Sequence, residues 1–188
     1  AHAASRQCQY VGPAPVSLDA FCRQVGLQSI HHERVTPERL NDSLDGLVLS
    51  DALVEKLGPA INSGRSILLY GPPGNGKTSI AERTSQLFRQ TIWVPYAIEV
   101  GGHVISFYDE AVHHPVSEAD TESHPKADQR WIECRRPVIK TGGELTLDQL
   151  DLTFNEGPNV YEAPIHLKAS GGVFIIDDFG RQQVAPQA

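Results

Sequence analysis

Apolar residues recur along the chain at two spacings, which predict helices and strands in alternation. Before residue 65 the spacing is helical in three places, each opened by a capping hydroxyl: Ser17, Thr36 and Ser50. The first helix is predicted over residues 18–25, after an irregular lead-in. The third should break or kink at Pro59, because proline cannot donate a helical hydrogen bond.

Short apolar runs of strand length dominate the rest of the pattern. Strands are predicted over residues 66–70, 91–100, 103–108 and 173–176. Gly101-Gly102 predicts a hairpin between the second and third of these, while Pro95 argues against a fully paired central strand. A helix is predicted over residues 76–89. This alternation of strand and helix predicts an α/β fold.

The segment before the last strand has a less regular pattern. Gly142-Gly143 predicts a turn, and Thr146 is placed to cap a helical stretch. Another turn is predicted over residues 155–158, followed by an extended run over residues 161–169.

Residues 109–128 combine carboxylates with histidines and contain few apolar side chains. Five side chains in this segment could be drawn as a metal site: Asp109, His113, His114, Asp120 and His124. Their spacings match no standard ligand pattern, so an exposed, mobile acidic loop is favoured. For the pair His31-His32, a solvated loop is favoured over a metal site in the same way.

A basic stretch follows the acidic segment. Its charged residues are Arg130, Arg135, Arg136 and Lys140. Alternation of charged and apolar residues is typical of a solvated strand edge, and contact with a neighbouring subunit's acidic loop or a nucleic-acid backbone is the alternative.

Composition narrows the class of protein. The chain has 188 residues, of which 40% are apolar, which allows one globular domain with a small appendage. No apolar run approaches the length of a membrane helix, and no signal-peptide pattern opens the chain. The three cysteines form no CxxC pair, which predicts reduced thiols and a cytoplasmic location. A net charge of −7 argues against non-specific nucleic-acid binding.

The most informative stretch is GPPGNGKT at residues 71–78, which fits the phosphate-binding pattern G-x-x-x-x-G-K-[ST]. A predicted strand precedes it and a predicted helix follows it, as this pattern requires. Its glycines let backbone N–H groups face an anion at the positive end of the helix. Lys77 would reach the β- and γ-phosphates, and Thr78 would ligate Mg²⁺. We therefore expect the chain to bind a nucleoside triphosphate, with residues 47–61 packed beside the site.

The second informative stretch is GGVFIIDD at residues 171–178. Acids at the carboxyl end of a buried parallel strand form the second half of a phosphate-loop site. About a hundred residues separate it from the phosphate loop. Asp177 can then help to hold the Mg²⁺ that Thr78 ligates.

Together, the two motifs resemble those of the AAA+ branch of P-loop ATPases. The resemblance rests on LLYGPPGNGKT at residues 68–78 and LKASGGVFIIDD at residues 167–178. The latter is similar to the A-x-G-G-x-L-F-L-D-E form of AAA+ subgroups with an inserted hairpin, such as σ54 activators and magnesium-chelatase motors. The resemblance covers residues 47–180 and places the insertion at residues 142–169.

The resemblance implies a P-loop NTPase fold, a three-layer αβα sandwich, with ATP and Mg²⁺ as cofactors. It also implies a ring-shaped homo-oligomer acting on an unidentified protein substrate. Residues 1–46 would be a helical lead-in, and residues 47–188 a nucleotide-binding core that ends after the acidic strand. The residues assigned to the nucleotide are Gly71, Pro72, Pro73, Gly74, Asn75, Gly76, Lys77, Thr78 and Ser79.

Asp178 departs from the family pattern. The family usually has glutamate here as the base that polarises water, and aspartate is one methylene shorter. Some replication initiators and helicase loaders of this superfamily carry two aspartates, so Asp178 implies a slow, switch-like ATPase. The chain begins at Ala1 without any methionine, and the family's sensor strand, arginine finger and helical lid would lie beyond Ala188. We expect a fragment of a longer protein.

Three functions follow in order of preference. The first is ATP hydrolysis by a motor or remodelling module, with Lys77 and Asp178 as catalytic residues and Thr78 and Asp177 as metal ligands. The second is a nucleotide-gated switch that loads a partner or nucleic acid with little hydrolysis, which the basic stretch motivates. The third is a small-molecule kinase, disfavoured because no lid signature is visible.

Overall fold

The computed structural model describes residues 8–116 and 128–181 of the chain. These residues divide into two compact units. The helical unit is Ser29–Gln90, and the sheet unit consists of the described residues of Ala1–Gln28 and Thr91–Ala188. The two motifs of the sequence fall in different units, the phosphate loop in the helical unit and the acidic strand in the sheet unit.

The helices of the described residues are α1 (Leu18–Leu27), α2 (Pro37–Ser43), α3 (Asp51–Asn62), α4 (Lys77–Ser85) and α5 (Ile165–Lys168), with short 3-10 turns at Ile30–His32 and Asp148–Leu150. The strands are β1 (Val16–Ser17), β2 (Thr91–Pro95), β3 (Ala97–Val100), β4 (His103–Ser106), β5 (Trp131–Arg135), β6 (Val138–Thr141), β7 (Thr153–Asn155), β8 (Val160–Glu162) and β9 (Val173–Ile176).

The strands of the described residues form one larger sheet and two pairs. The five-stranded sheet has the order β1-β3-β4-β8-β7, with β1–β3 and β4–β8 parallel and β3–β4 and β7–β8 antiparallel. β2 pairs antiparallel with β5, and β6 pairs parallel with β9. This mixed α/β arrangement is compatible with a P-loop-like fold; the three-layer sandwich stays a prediction.

Local signals in the sequence were read correctly in several places. The predicted hairpin is confirmed: Val100 pairs with His103 across Gly101-Gly102, whose φ angles of 58° and 85° suit glycine. Ser17 caps α1, because its hydroxyl accepts the Ala20 N–H at 3.3 Å. These features depend on neighbouring residues alone, which explains why the pattern revealed them.

The predicted break in the third helix is wrong. α3 runs through Pro59 to Asn62, and the Ser63 N–H still donates to the Pro59 carbonyl at 3.0 Å. Pro59 removes the hydrogen bond to the Glu55 carbonyl, but the helix continues after it to Asn62. Leu57 and Ile61 are buried on the inner face and hold the turn in place.

Three further segments differ from the sequence prediction. Residues 66–70 form no strand within the described part of the chain, and Tyr70 is 89% exposed. An apolar run becomes a strand only when a neighbour supplies ladder hydrogen bonds. Residues 161–169 are not extended throughout, because Pro164 caps the short helix α5. The helical stretch after Thr146 is reduced to one 3-10 turn.

The prediction of an exposed loop after Asp109 holds for Glu110, Ala111, His114 and Pro115 but is wrong for His113. His113 is completely buried, and its ring stacks on Phe107 at 5.8 Å. Its Nδ1 accepts the Asp109 N–H at 3.0 Å, so Nε2 carries the proton and donates to the Lys168 carbonyl at 2.9 Å. Asp120 and His124 of the predicted metal set lie outside the described residues.

Lys168 links this histidine to two carboxylates. The Lys168 ammonium donates to Asp109 at 2.7 Å and to Glu162 at 2.6 Å, while its side chain is only 8% exposed. Burial alone would lower the pKa of Lys168, but its bonds to the two carboxylates leave that pKa raised. The same bond from Lys168 lowers the pKa of Asp109. The network joins β8, α5 and the segment after β4.

The three cysteines, all within the described residues, form no disulfide. Cys134 in β5 is completely buried, and burial raises the pKa of its thiol to about 12. A thiol with that pKa stays protonated near neutral pH, so Cys134 is not a nucleophile.

Acidification should destabilise the fold through His113. Burial lowers the pKa of His113, so below its unfolded value of about 6.5 the unfolded chain takes up a proton that the folded chain refuses. Asp109 contributes stability above its unfolded pKa, and this is lost as pH falls through its lowered folded value. We expect the free energy of unfolding in urea to fall from pH 7 to pH 5, and this slope to flatten in His113→Gln. The exposed neighbour His114→Gln is the control; equal slopes in wild type and His113→Gln would contradict the assignment.

Candidate nucleotide site

The phosphate loop leads directly into α4. Gly76 is the N-cap of this helix with φ +69°, and Gly74 has φ +82°, which is backbone geometry that glycine adopts without strain. A Cβ atom built on either glycine would meet nothing within 4 Å, so the loop faces open space. Ile80, which is buried in the helical unit's core, anchors the first turn of α4. The loop is therefore an accessible helix N-terminus on a packed helix.

Lys77 lies folded over the loop that precedes it. Its ammonium donates to the Gly71 carbonyl at 3.2 Å and to the Pro72 carbonyl at 2.8 Å. These carbonyls are weaker partners than a phosphate oxygen, because a charged acceptor makes the stronger bond. An incoming phosphate can therefore take the ammonium in exchange. Thr78 and Ser79 stand in the first turn of α4, as the motif predicts.

A cleft of about 450 Å³ adjoins the loop within the helical unit. One wall is Gly74-Asn75-Gly76, and the other comes from the segment before α3. The residues of that second wall are Leu47, Val48, Leu49, Ser50 and Leu53. Sequence analysis predicted that residues 47–61 pack beside the site but did not identify this wall of the cleft. The sequence does contain a pattern that could have indicated the wall: three consecutive apolar residues directly before the helix cap at Ser50.

The acidic strand is β9, which pairs parallel with β6. The predicted parallel strand is confirmed, although it is only half-buried, with Ile175 inside and Ile176 39% exposed. After it, the Asp177 N–H donates to the Thr141 carbonyl at 2.8 Å. Asp178 has φ +51°, and its N–H donates to the Asp177 Oδ1 at 3.0 Å. Both acids thus follow the carboxyl end of β9, beside the end of the parallel strand β6.

Two glycines allow β9 to approach β6. A Cβ on Gly172 would lie 2.0 Å from the Pro137 carbonyl oxygen. This distance is too short for any residue that has a side chain. Gly171 has a φ angle of +79°. Its carbonyl accepts a hydrogen bond of 2.5 Å from the guanidinium of the buried Arg136. The same guanidinium donates to the Gln28 carbonyl at 2.8 Å. Arg136 was predicted at a solvated strand edge, but its role is to hold this turn.

Replacing Gly172 should disrupt the acidic strand. We expect Gly172→Ala to lower the free energy of unfolding by about 3 kcal/mol, since overpacking against backbone leaves no room to relax. Urea unfolding measures the change. Gly157→Ala is the control, because its Cβ would meet its nearest neighbour, Asn155, at an ordinary 3.5 Å. Equal losses in both variants would show that the close approach is not limiting.

The Asp177 carboxylate is a donor that suits a hard cation. Carboxylate oxygens suit Mg²⁺, which binds through one or two carboxylates together with phosphates. The Asp177 side chain is 31% exposed, so a cation from solvent can reach it. Among residues 8–116 and 128–181, no group of three His, Cys, Asp or Glu side chains could hold a metal by itself. Water molecules, or phosphate oxygens when a nucleotide is present, would have to complete the coordination.

Comparison with known proteins gives a partial likeness. The chain is 34% identical over 84 residues to ATPase family AAA domain-containing protein 3-A of Xenopus laevis. Protein 3-B of the same species and protein 3 of Xenopus tropicalis match equally well. The match covers 39% of this chain, which spans about 14% of each relative's length. No model of a protein family matches the chain.

This similarity to AAA-domain ATPases indicates an ATP-related function. It carries no information about substrate, since so little of each relative is covered. No helix of the described residues is long and apolar enough to cross a membrane.

Proposed function

We propose that the chain binds ATP with Mg²⁺ and is the nucleotide-binding part of an AAA+ ATPase. The observation that carries the proposal is the open loop before α4, whose left-handed glycines face open space and whose Lys77 ammonium lies on the loop carbonyls at a helix N-terminus. Such a loop can bind the β- and γ-phosphates through backbone N–H groups. The cleft beside Leu47 and Leu49 is apolar and has room for a nucleobase.

In this proposal the acids complete the site. Bound Mg²⁺ would neutralise charge on the β- and γ-phosphates. Thr78 and Asp177 would hold it, Asp178 would orient the attacking water, and Lys77 would stabilise charge on the phosphates. The phosphate loop lies in the helical unit and the acids lie in the sheet unit. The assignment of both to one nucleotide rests on the sequence motifs alone.

The subgroup with an inserted hairpin is the finer part of the proposal. The segment predicted as the insertion contains the β7–β8 hairpin, in which Phe154 pairs with Tyr161. We propose further that the longer protein forms a homo-oligomeric ring in the cytoplasm, acts on a protein substrate and receives an arginine from the adjacent subunit. The division into a lead-in of residues 1–46 and a core of residues 47–188 belongs to the same proposal.

A nucleotide-gated switch with little hydrolysis is the alternative. It is favoured by Asp178, whose side chain is short and whose backbone is held at φ +51°. Its nucleic-acid form has less support, because Arg136 of the basic stretch is buried and Arg130 is paired with Asp128 at 2.6 Å.

Lys77→Ala should weaken ATP binding. Bonds from an ammonium to phosphate are worth about 1.5–3 kcal/mol, so the dissociation constant should rise roughly tenfold or more. Titration with a fluorescent ATP analogue in Mg²⁺ measures it. Lys56→Ala, an exposed lysine on α3, is the matched control and should bind as wild type does. Full affinity in Lys77→Ala would remove the assignment.

Leu49→Ala tests the base-binding wall separately from the phosphates. Losing part of an apolar contact of about 1–1.5 kcal/mol should weaken ATP about five- to tenfold and leave inorganic tripolyphosphate binding unchanged. Competition titrations with the two ligands measure this difference. The exposed Leu27→Ala on α1 is the control. Parallel losses for both ligands would show that Leu49 supports the loop rather than the base.

A further inference from the structure

Both carboxylate oxygens of Asp177 are already engaged. Oδ1 accepts the Asp178 N–H at 3.0 Å, and Oδ2 faces the Lys140 ammonium at 3.6 Å. A carboxylate that ligates a cation must present a lone pair to it. The oxygen that does not accept this N–H is Oδ2, which is the one beside Lys140.

The strand register explains why these two side chains meet. In the β6–β9 pair, Lys140 stands opposite Ile175 and Thr141 opposite Ile176. The Asp177 N–H bond to the Thr141 carbonyl extends this register past the end of β9. The ladder therefore holds the backbones of Lys140 and Asp177 close together, while their side chains remain 43% and 31% exposed. Both can be reached by ions from solvent.

The contact between Lys140 and Asp177 is weak enough for Lys140 to be displaced. Exposed ion pairs are worth about 0–1 kcal/mol, so Lys140 can leave Asp177 without a large penalty. A divalent cation at the same oxygen would attract the carboxylate more strongly and repel the ammonium. The two cations therefore compete for one oxygen.

We propose that Lys140 is a positioning residue that serves as the internal counter-ion of Asp177 and competes with the divalent cation for Oδ2. Lys140 keeps the carboxylate neutralised before the metal arrives, and it moves away when the metal binds. This rests on the proposed role of Asp177 as an Mg²⁺ ligand. Lys140 would therefore raise the metal concentration that is needed to occupy the site.

The test measures metal binding directly, without turnover. Mn²⁺ alone is titrated into the full chain and followed by electron paramagnetic resonance at low ionic strength. We expect Lys140→Gln to bind Mn²⁺ about three- to tenfold more tightly than wild type, because one nearby positive charge is gone. Lys140→Arg retains the charge and should stay within twofold of wild type, a shift of under 0.5 kcal/mol. Asp177→Asn should abolish this binding.

Arg130→Gln is the matched control, since it removes an exposed ion pair with Asp128 away from the strand ends of β6 and β9. It should leave Mn²⁺ affinity unchanged. Thermal unfolding of each variant verifies that the charge change has not altered the fold. Added salt should narrow the difference between wild type and Lys140→Gln, because screening weakens exposed charge pairs.

The outcomes separate the inference from the proposed function. Wild type that binds the fluorescent ATP analogue, with equal Mn²⁺ affinity in Lys140→Gln, overturns the role of Lys140 alone. Mn²⁺ binding that Asp177→Asn leaves intact overturns the role of Asp177 and with it that of Lys140. A wild-type chain that binds the analogue but no Mn²⁺ overturns the roles of Asp177 and Lys140, and one that binds neither overturns the proposed function as well.

Discussion

The close passage of Gly172 over Pro137 is the constraint on which the acidic half of the site depends. A side chain at Gly172 would lie 2.0 Å from the Pro137 carbonyl, so only glycine allows Val173 to donate to that carbonyl and begin the ladder with β6. The buried Arg136 completes the arrangement by holding the Gly171 carbonyl. The carboxyl-terminal ends of both strands, and therefore the positions of the acids, follow from this crossing.

Sequence reasoning succeeded where the determining interactions are local. The caps, the Gly101-Gly102 hairpin and the glycines of the phosphate loop each depend on a few adjacent residues. It failed where partners distant in sequence decide the outcome. His113 is buried with its Nε2–H paired, because the backbone carbonyl of Lys168, 55 residues away, accepts a hydrogen bond from it. The roles of Arg136 and Lys140 were equally invisible, because alternating charges look the same whether they face solvent or a distant carbonyl.

The two halves of the candidate site share one electrostatic property. In each half, the principal charged group contacts another group of the protein in place of a ligand. Lys77 contacts loop carbonyls, and Asp177 contacts Lys140. No bare charge has to be maintained in the absence of ligand, which limits the electrostatic cost of an open site. At each of these two groups, ligand binding would then be an exchange of one partner for another.

The burial of Cys134 has a consequence for following the molecule in solution. Its thiol is fully enclosed in β5 and has a pKa of about 12, whereas Cys22 is exposed on α1 of the same unit. A thiol-specific reagent should therefore modify Cys22 at once and Cys134 only during openings of the β2–β5 pair. The slow phase of such labelling would report the rate at which the sheet unit opens locally.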